Sequence, residues 1–254
     1  MAGPGHTLLD IRNLSMRYAN GKMALNGVDL SVAAGEIVIV LGSNGSGKST
    51  MLRCVSRLQD PTGGSIEVAG NDLARLKGGE LRRARMAVAM VFQHANLVRR
   101  RSVLANVCTG ALGHHRNWAT ALGLVPRQEM GKALDYLEAV GLSHLAGQRA
   151  GTLSGGQAQR VAISRALAQL PKVILADEPV ASLDPQAAEE VMGLLRRLAK
   201  DEGMAVLCVL HQPELAARYG DRVVGIQAGS LMFDMPANQV SPERVATLYN
   251  RIAA

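Results

Sequence analysis

The chain has 254 residues, 48% of them apolar, enough for one large domain or two small ones. Its 28 Lys and Arg against 21 Asp and Glu leave a formal charge of +7, which admits nucleic acid or an anionic membrane face as partners, yet an aromatic content of 3% argues against a base-stacking platform. No uncharged apolar run reaches the roughly eighteen residues of a membrane span, and Met1-Ala-Gly-Pro-Gly-His6 lacks the basic region and apolar core of a secretion signal, so the chain is expected in the cytosol, with any membrane role resting on a separate spanning partner.

Ile11-Arg-Asn-Leu-Ser-Met-Arg17 leads to Tyr18, which alone reads as an ordinary strand aromatic. Ile37-Val-Ile-Val-Leu41 is a continuous apolar run, suited to a strand buried on both faces. Gly42-Ser-Asn-Gly-Ser-Gly-Lys-Ser-Thr50 follows, and then Met51, Leu52, Val55 and Leu58 recur at helical spacing. Strand, Gly-x-x-x-x-Gly-Lys-Ser and helix in that order form a phosphate-binding loop. Gly42, Gly45 and Gly47, with Ser43, Asn44 and Ser46 between them, let the backbone bend around phosphate oxygens and aim N–H groups inward. The helix N-terminus adds its positive dipole end. Lys48 is placed to reach the β- and γ-phosphates, Ser49 to offer its hydroxyl to Mg²⁺, and Thr50 to lie on the α-phosphate side.

The apolar stretch Met86–Phe92 ends at Gln93, whose amide could touch the metal or the attacking water. Basic residues concentrate at Arg82, Arg83, Arg85 and Arg99-Arg100-Arg101. His114-His115 has no companion Cys or carboxylates and reads as loop rather than metal site. After Leu153-Ser-Gly-Gly-Gln157, Val161, Ile163 and Leu167 suggest a helix. Val173-Ile-Leu-Ala176 is a second buried-strand run, with Asp177 and Glu178 at its carboxyl end, where open α/β sheets bind ligands. Asp177 would hold Mg²⁺ directly or through water, and Glu178, one residue on, would address the attacking water as general base or polariser. Ser182-Leu-Asp184 comes just after, and His211 follows a third strand, Ala205–Leu210, from which it could bond the γ-phosphate. Cys54, Cys108 and Cys208 are scattered and odd in number, which favours reduced buried thiols over disulfides or zinc ligands.

With these pieces together, the chain resembles the nucleotide-binding subunits of ABC transporters from about Leu8 to Phe233. The matching parts are Tyr18, Gly42 to Thr50, Gln93, Leu153 to Gln157, Asp177, Glu178, Ser182 to Asp184 and His211. The resemblance implies an α/β fold: a P-loop, RecA-like core near residues 35–92 and 161–230, an antiparallel β subdomain near 7–34 and 62–70, and an inserted helical lobe near 95–160 carrying the signature. One nucleotide-binding domain would span 7–235, and 236–254 would form a short helical tail. It implies a homodimer paired head-to-tail, each ATP lying between one phosphate loop and the partner's Ser154, Gly155, Gly156 and Gln157. Tyr18 would stack on adenine, Asp184 would belong to the nucleotide site, and Ser49, Gln93 and Asp177 would surround Mg²⁺. Neither an internal repeat nor a second phosphate loop is present, unlike in twin-cassette ATPases.

Gln93-His-Ala-Asn-Leu-Val98, Ser102 to Gly113, Arg116-Asn-Trp118, Leu122-Gly-Leu124, Pro126 to Glu129, Leu210-His-Gln212 and Leu248-Tyr249 resemble the phosphonate-import ATPase branch. Phosphonates and related phosphorus anions are then the implied cargo. The implied partners are integral-membrane permease subunits and an extracytoplasmic substrate-binding protein, with the chain peripheral on the cytoplasmic face of the inner membrane. Residues 94–110 would receive a permease helix, with Leu97, Val98, Val103, Leu104 and Val107 as candidate contacts; for Leu104 and Val107 a place in the lobe's core is the competing reading. Trp118 reads equally as a partner anchor or as packing. Ala158, where Gln is common, and Gln59-Asp60, in place of a small turn, depart from the pattern without touching the chemistry. Two other readings stay open: an importer of phosphate, methionine or polar amino acids, and a stand-alone ABC ATPase acting on nucleic acid or in cofactor assembly. Of these partners, nucleic acid is not expected.

Overall fold

The computed structural model describes residues 5–115 and 126–249. Arg116-Asn-Trp118 and Leu122-Gly-Leu124 lie outside them, as do the last five residues of the tail. Strands β1 (Thr7–Arg17), β2 (Met23–Ala33), β4 (Gly63–Val68) and β5 (Asn71–Asp72) make an antiparallel sheet in the order β2-β1-β4-β5. Strands β3 (Ile37–Leu41), β6 (Val88–Val91), β7 (Val173–Asp177), β8 (Ala205–Val209) and β9 (Arg222–Gln227) run parallel, and β10 (Ser230–Pro236) pairs antiparallel with β9 at one edge. Their order is β10-β9-β3-β8-β7-β6.

Every residue of β3, β7 and β8 is buried, because both faces of this sheet are covered. Successive side chains point to opposite faces, and the two faces feed two cores. Val38, Val40, Leu175 and Leu207 join Leu9, Ile11 and Leu14 of β1 and Met51, Leu52 and Val55 of α1 (Lys48–Val55). The short helix α2 (Gly78–Ala84) buries no residue and leaves Arg82 and Arg83 exposed. On the opposite face, Ile37, Ile39 and Leu41 pack with Val103 and Val107 of α3 (Val103–Cys108), Leu137 of α4 (Arg127–Ala139), Val161 and Ile163 of α5 (Gly155–Leu167), and Val191 and Leu195 of α6 (Pro185–Lys200). Helix α7 (Pro213–Tyr219) adds Ala216 to this core, and α8 (Pro242–Tyr249) adds Val245 and Leu248.

Arg222 fastens the antiparallel sheet to the edge of the parallel one. Its guanidinium donates to Glu36 Oε1 at 2.5 Å, Asp234 Oδ1 at 2.5 Å and the Ser31 carbonyl at 2.7 Å. The three thiols are buried and free, and burial pushes each of them up, Cys54 to about 11. Among the described residues no helix is long and apolar enough to cross a membrane.

Two expectations need correction. Helix α1 stops at Val55, and Leu58 is 52% exposed rather than part of its apolar stripe. Arg57 adopts a left-handed φ of 52°, and the Leu58 and Gln59 N–H groups both return to the Arg53 carbonyl, a C-cap that turns the chain away. Val103 is fully buried in the core and so not available to a permease, and Val107 takes the competing place in the lobe's core; Val98 is exposed, and Leu97 and Leu104 are half-buried.

Candidate active site

The strand order sets the carboxyl ends of β3, β8, β7 and β6 side by side. Gly42 follows β3 directly, His211 comes just after β8, Asp177 ends β7, and Gln93 lies just past β6. Four separated sequence segments therefore meet at the end of the sheet where ligands bind.

Lys48 is 4% exposed at the start of α1, and its Nζ donates to the Gly42 carbonyl at 2.8 Å and the Ser43 carbonyl at 3.0 Å. Burial draws the ammonium's pKa down, while Glu178 and Asp177 pull it back up. Ser49 Oγ donates to Asp177 Oδ1 at 2.8 Å. Burial raises the Asp177 pKa, the Ser49 hydroxyl opposes that rise, and the Glu178 charge adds to it. Glu178 has a left-handed φ of 51°, a conformation that costs a non-glycine residue on the order of 1 kcal/mol or more and concentrates at functional sites. Its Oε1 lies 2.6 Å from His211 Nε2. The Tyr18 hydroxyl meets Thr50 Oγ1, in the first turn of α1, at 3.1 Å.

The loop is shaped for a ligand rather than for its own packing. Ser46 Oγ is buried and has no hydrogen-bond partner among the described residues. At Gly42 (φ 157°) an added Cβ would fall 2.2 Å from the Ile226 carbonyl, and at Gly47 (φ 112°) 2.6 Å from that of Ala24, so no side chain could enter without opening the loop. A buried lysine answered only by loop carbonyls and nearby carboxylates, beside an orphan hydroxyl, fits a bound polyphosphate. Ser49 and Asp177 supply hard oxygen donors of the kind Mg²⁺ takes.

The signature residues form a separate cluster. Ser154 is the N-cap of α5: its Oγ accepts from the Gln157 N–H at 3.3 Å, and Gln157 Oε1 accepts from the Ser154 N–H at 3.0 Å. The signature is thus the helix's own first turn, not a segment preceding a helix that begins near Gln157. The Ser154-x-x-Gln157 capping box was the sequence signal for this start. Gly156 is buried against α6, where a Cβ would meet Ala187 Cβ at 2.7 Å. Asp184 caps α6, accepting from the Ala187 N–H at 2.9 Å. Among the described residues no hydrogen bond links Ser154, Gly155, Gly156 or Gln157 to the phosphate loop, Asp177 or Glu178. Gln93 is exposed. So Lys48, Ser49, Asp177, Glu178 and His211 come together in one chain, while the signature and Asp184 lie in a neighbouring, self-contained cluster. Periodicity and spacing did not reveal the Glu178–His211 contact, because it depends on two strands adjacent only in the sheet.

A family model described as ABC transporter matches residues 25–181. The phosphonates import ATP-binding protein PhnC of Shouchella clausii is 45% identical over 244 residues, covering 96% of this chain and 92% of the relative. The protein of the same name from Staphylococcus haemolyticus is 43% identical over 243 residues, covering 96% and 95%. Among solved structures, cbiO1 from Clostridium perfringens, part of the ABC transporter complex cbiONQ, superposes with a TM-score of 0.82 at 28% identity, covering 95% of this chain and 94% of that one. The dimeric structure of MJ0796, a bacterial ABC transporter cassette, gives a TM-score of 0.79 at 32% identity, covering 91% and 100%. The loop, the acidic pair and the signature lie in a chain matched along nearly its whole length, and the chain belongs to the ABC transporter ATP-binding family.

Proposed function

We propose that this chain is the ATP-hydrolysing subunit of a phosphonate importer, working as a head-to-tail pair beneath a membrane permease. The observation that carries the cargo assignment is the 45% identity to a phosphonates import ATP-binding protein over 96% of the chain. Residues 7–235 serve as the nucleotide-binding domain and 236–254 as its tail. The chain sits peripherally on the cytoplasmic face, and an extracytoplasmic binding protein delivers the cargo to the permease.

In this reading Tyr18 carries the adenine, and residues 42–50 wrap the phosphates. Lys48 exchanges its two loop carbonyls for β- and γ-phosphate oxygens, a trade of neutral for charge-assisted bonds. Ser49 and Asp177, with Gln93, would hold Mg²⁺, which would supply positive charge against the phosphates. Glu178 takes the attacking water's proton, and His211 holds Glu178 in place and faces the γ-phosphate. The partner's Ser154, Gly155, Gly156 and Gln157 close over the same phosphate with the positive end of α5. Asp184 supports this contact from the start of α6. Closure is favoured only by bonds that ATP makes with both halves, so hydrolysis releases it. Residues 94–110 receive the permease's helix, with the exposed Val98 and the half-buried Leu97 and Leu104 as its contacts.

The test is uptake of labelled methylphosphonate in cells lacking the gene, complemented with wild-type or Glu178→Gln protein, with phosphate, sulfate and methionine in parallel. Restoration of phosphonate uptake by wild type alone is the expected result. Restoration of another solute instead would discard the cargo and keep the motor. No transport defect would discard both.

A further inference from the structure

Helix α8 packs through Val245 and Leu248, 7% and 1% exposed, and the Arg244 guanidinium lies over the Phe233 ring at 5.8 Å. That seating does not need Tyr249, which is 41% exposed. Yet the Tyr249 hydroxyl accepts a hydrogen bond from the N–H of Gly42, the first residue of the phosphate loop. Burial pushes the phenol's pKa up, and this bond draws it back. Two residues earlier in α8, the Thr247 carbonyl accepts from Gln227 Nε2 at 3.1 Å.

Gln227 ends β9 and opens the turn into β10, and that turn leans on the same loop. The Gly229 N–H donates to the Ser46 carbonyl at 2.8 Å, and the Ile226 carbonyl lies so close to Gly42 that no Cβ fits between them. Helix α8 therefore reaches the phosphate loop by two routes, directly at Gly42 and through Gln227 and the turn at Gly42 and Ser46. The Gly42 peptide is held from both sides: its carbonyl accepts from Lys48 at 2.8 Å, and its N–H donates to Tyr249. When Lys48 turns to the phosphates, the first hold is released and the second remains. A loop that keeps its shape as the lysine leaves loses less conformational freedom on binding.

We propose that Tyr249 and Gln227 are positioning residues that brace the phosphate loop for ATP, which makes the C-terminal helix part of the nucleotide site. This rests on the reading that residues 42–50 wrap the phosphates of ATP. The brace acts on the backbone of the loop and leaves the Ser49–Asp177 and Glu178–His211 contacts in place. Its loss therefore falls on binding rather than on hydrolysis.

The experiment titrates a fluorescent ATP analogue into full-length wild type, Tyr249→Phe and Gln227→Leu, with steady-state ATP hydrolysis and thermal midpoints in parallel. Tyr249→Phe removes only the hydroxyl; Gln227→Leu removes the donor to Thr247. For Tyr249→Phe, analogue affinity and the KM for ATP are expected to weaken together by roughly three- to tenfold, the worth of one hydrogen bond, with kcat within about twofold of wild type and an unchanged thermal midpoint. Gln227→Leu is expected to shift affinity and KM in the same direction, and it decides the matter if Tyr249→Phe does not fold. A lowered thermal midpoint with wild-type affinity and KM would mean that α8 only packs, and it overturns the proposal, as does a folded Tyr249→Phe that matches wild type throughout. A wild type that binds no nucleotide would contradict the ATP reading and this inference with it, whereas a binding wild type beside unchanged variants would overturn the brace alone.

Discussion

Lys48, at the start of α1, and Asp177, at the end of a strand buried on both faces, are 4% and 9% exposed, whereas Ser154 and Gly155 stand exposed on the first turn of α5. The phosphate-loop half of the site is assembled within the chain: Lys48, Ser49, Asp177, Glu178 and His211 are already joined or opposed by charge. The signature half is assembled only with itself, its hydroxyl and amide spent on capping its own helix. The contrast suits the proposed head-to-tail pair. There the buried half would be complete within its own chain, and the exposed half would await the nucleotide of a second copy.

Substitutions that strike one half and spare the other separate these roles. The largest effect belongs to Glu178→Gln, which keeps the carboxylate's shape and loses the base. Hydrolysis should fall by roughly 10²- to 10⁴-fold with ATP affinity retained, as read by phosphate release beside equilibrium binding. Lys48→Ala removes a charge-assisted phosphate contact and should weaken ATP binding by roughly 10- to 100-fold, measured by titration calorimetry. Ser154→Arg places a bulky cation on the exposed turn. It should leave ATP binding to the isolated chain near wild type while abolishing hydrolysis, and mixing it with Lys48→Ala should restore activity, because one of the two sites in the mixed pair is then intact. Failure of the mixture to recover, with both proteins folded, would weigh against the split site.

Stability changes are smaller and mark the scaffold. Arg222→Ala removes the charged bonds to Glu36 and Asp234 and the bond to the Ser31 carbonyl that ties the two sheets, and should cost about 2 kcal/mol in denaturant unfolding. Ser154→Ala removes an N-cap and should cost about 1 kcal/mol by the same assay. A fall of several kcal/mol for Ser154→Ala would mean that the signature turn is part of the core rather than an open half-site.

Much of the buried half was legible in the sequence. Continuous apolar runs at 37–41, 173–176 and 205–210 marked doubly covered strands, and the motif residues sit at their carboxyl ends, as the physics of parallel sheets demands. Less was legible where geometry depends on tertiary partners. The left-handed Glu178 and its contact with His211 require β7 and β8 to be neighbours, which no local pattern states. Leu58 kept the helical period but lost the helix, because a left-handed Arg57 ended it first. Val103 looked available to a partner, and Val107 stayed open between two readings, because apolar residues in an inserted segment read alike whether they face a permease or their own lobe. The tie from Gln227 to Thr247 carries no local signature, since its acceptor is a main-chain carbonyl 20 residues away in sequence.

In the proposed pair, a complete ATP site needs two chains. Sedimentation equilibrium of the Glu178→Gln protein, with and without saturating ATP and over a wide concentration range, tests it most directly. A monomer without nucleotide that becomes a dimer with ATP, and loses that dimer when Ser154→Arg is added, is the predicted result. A protein that binds ATP by calorimetry yet stays monomeric at every concentration would contradict it.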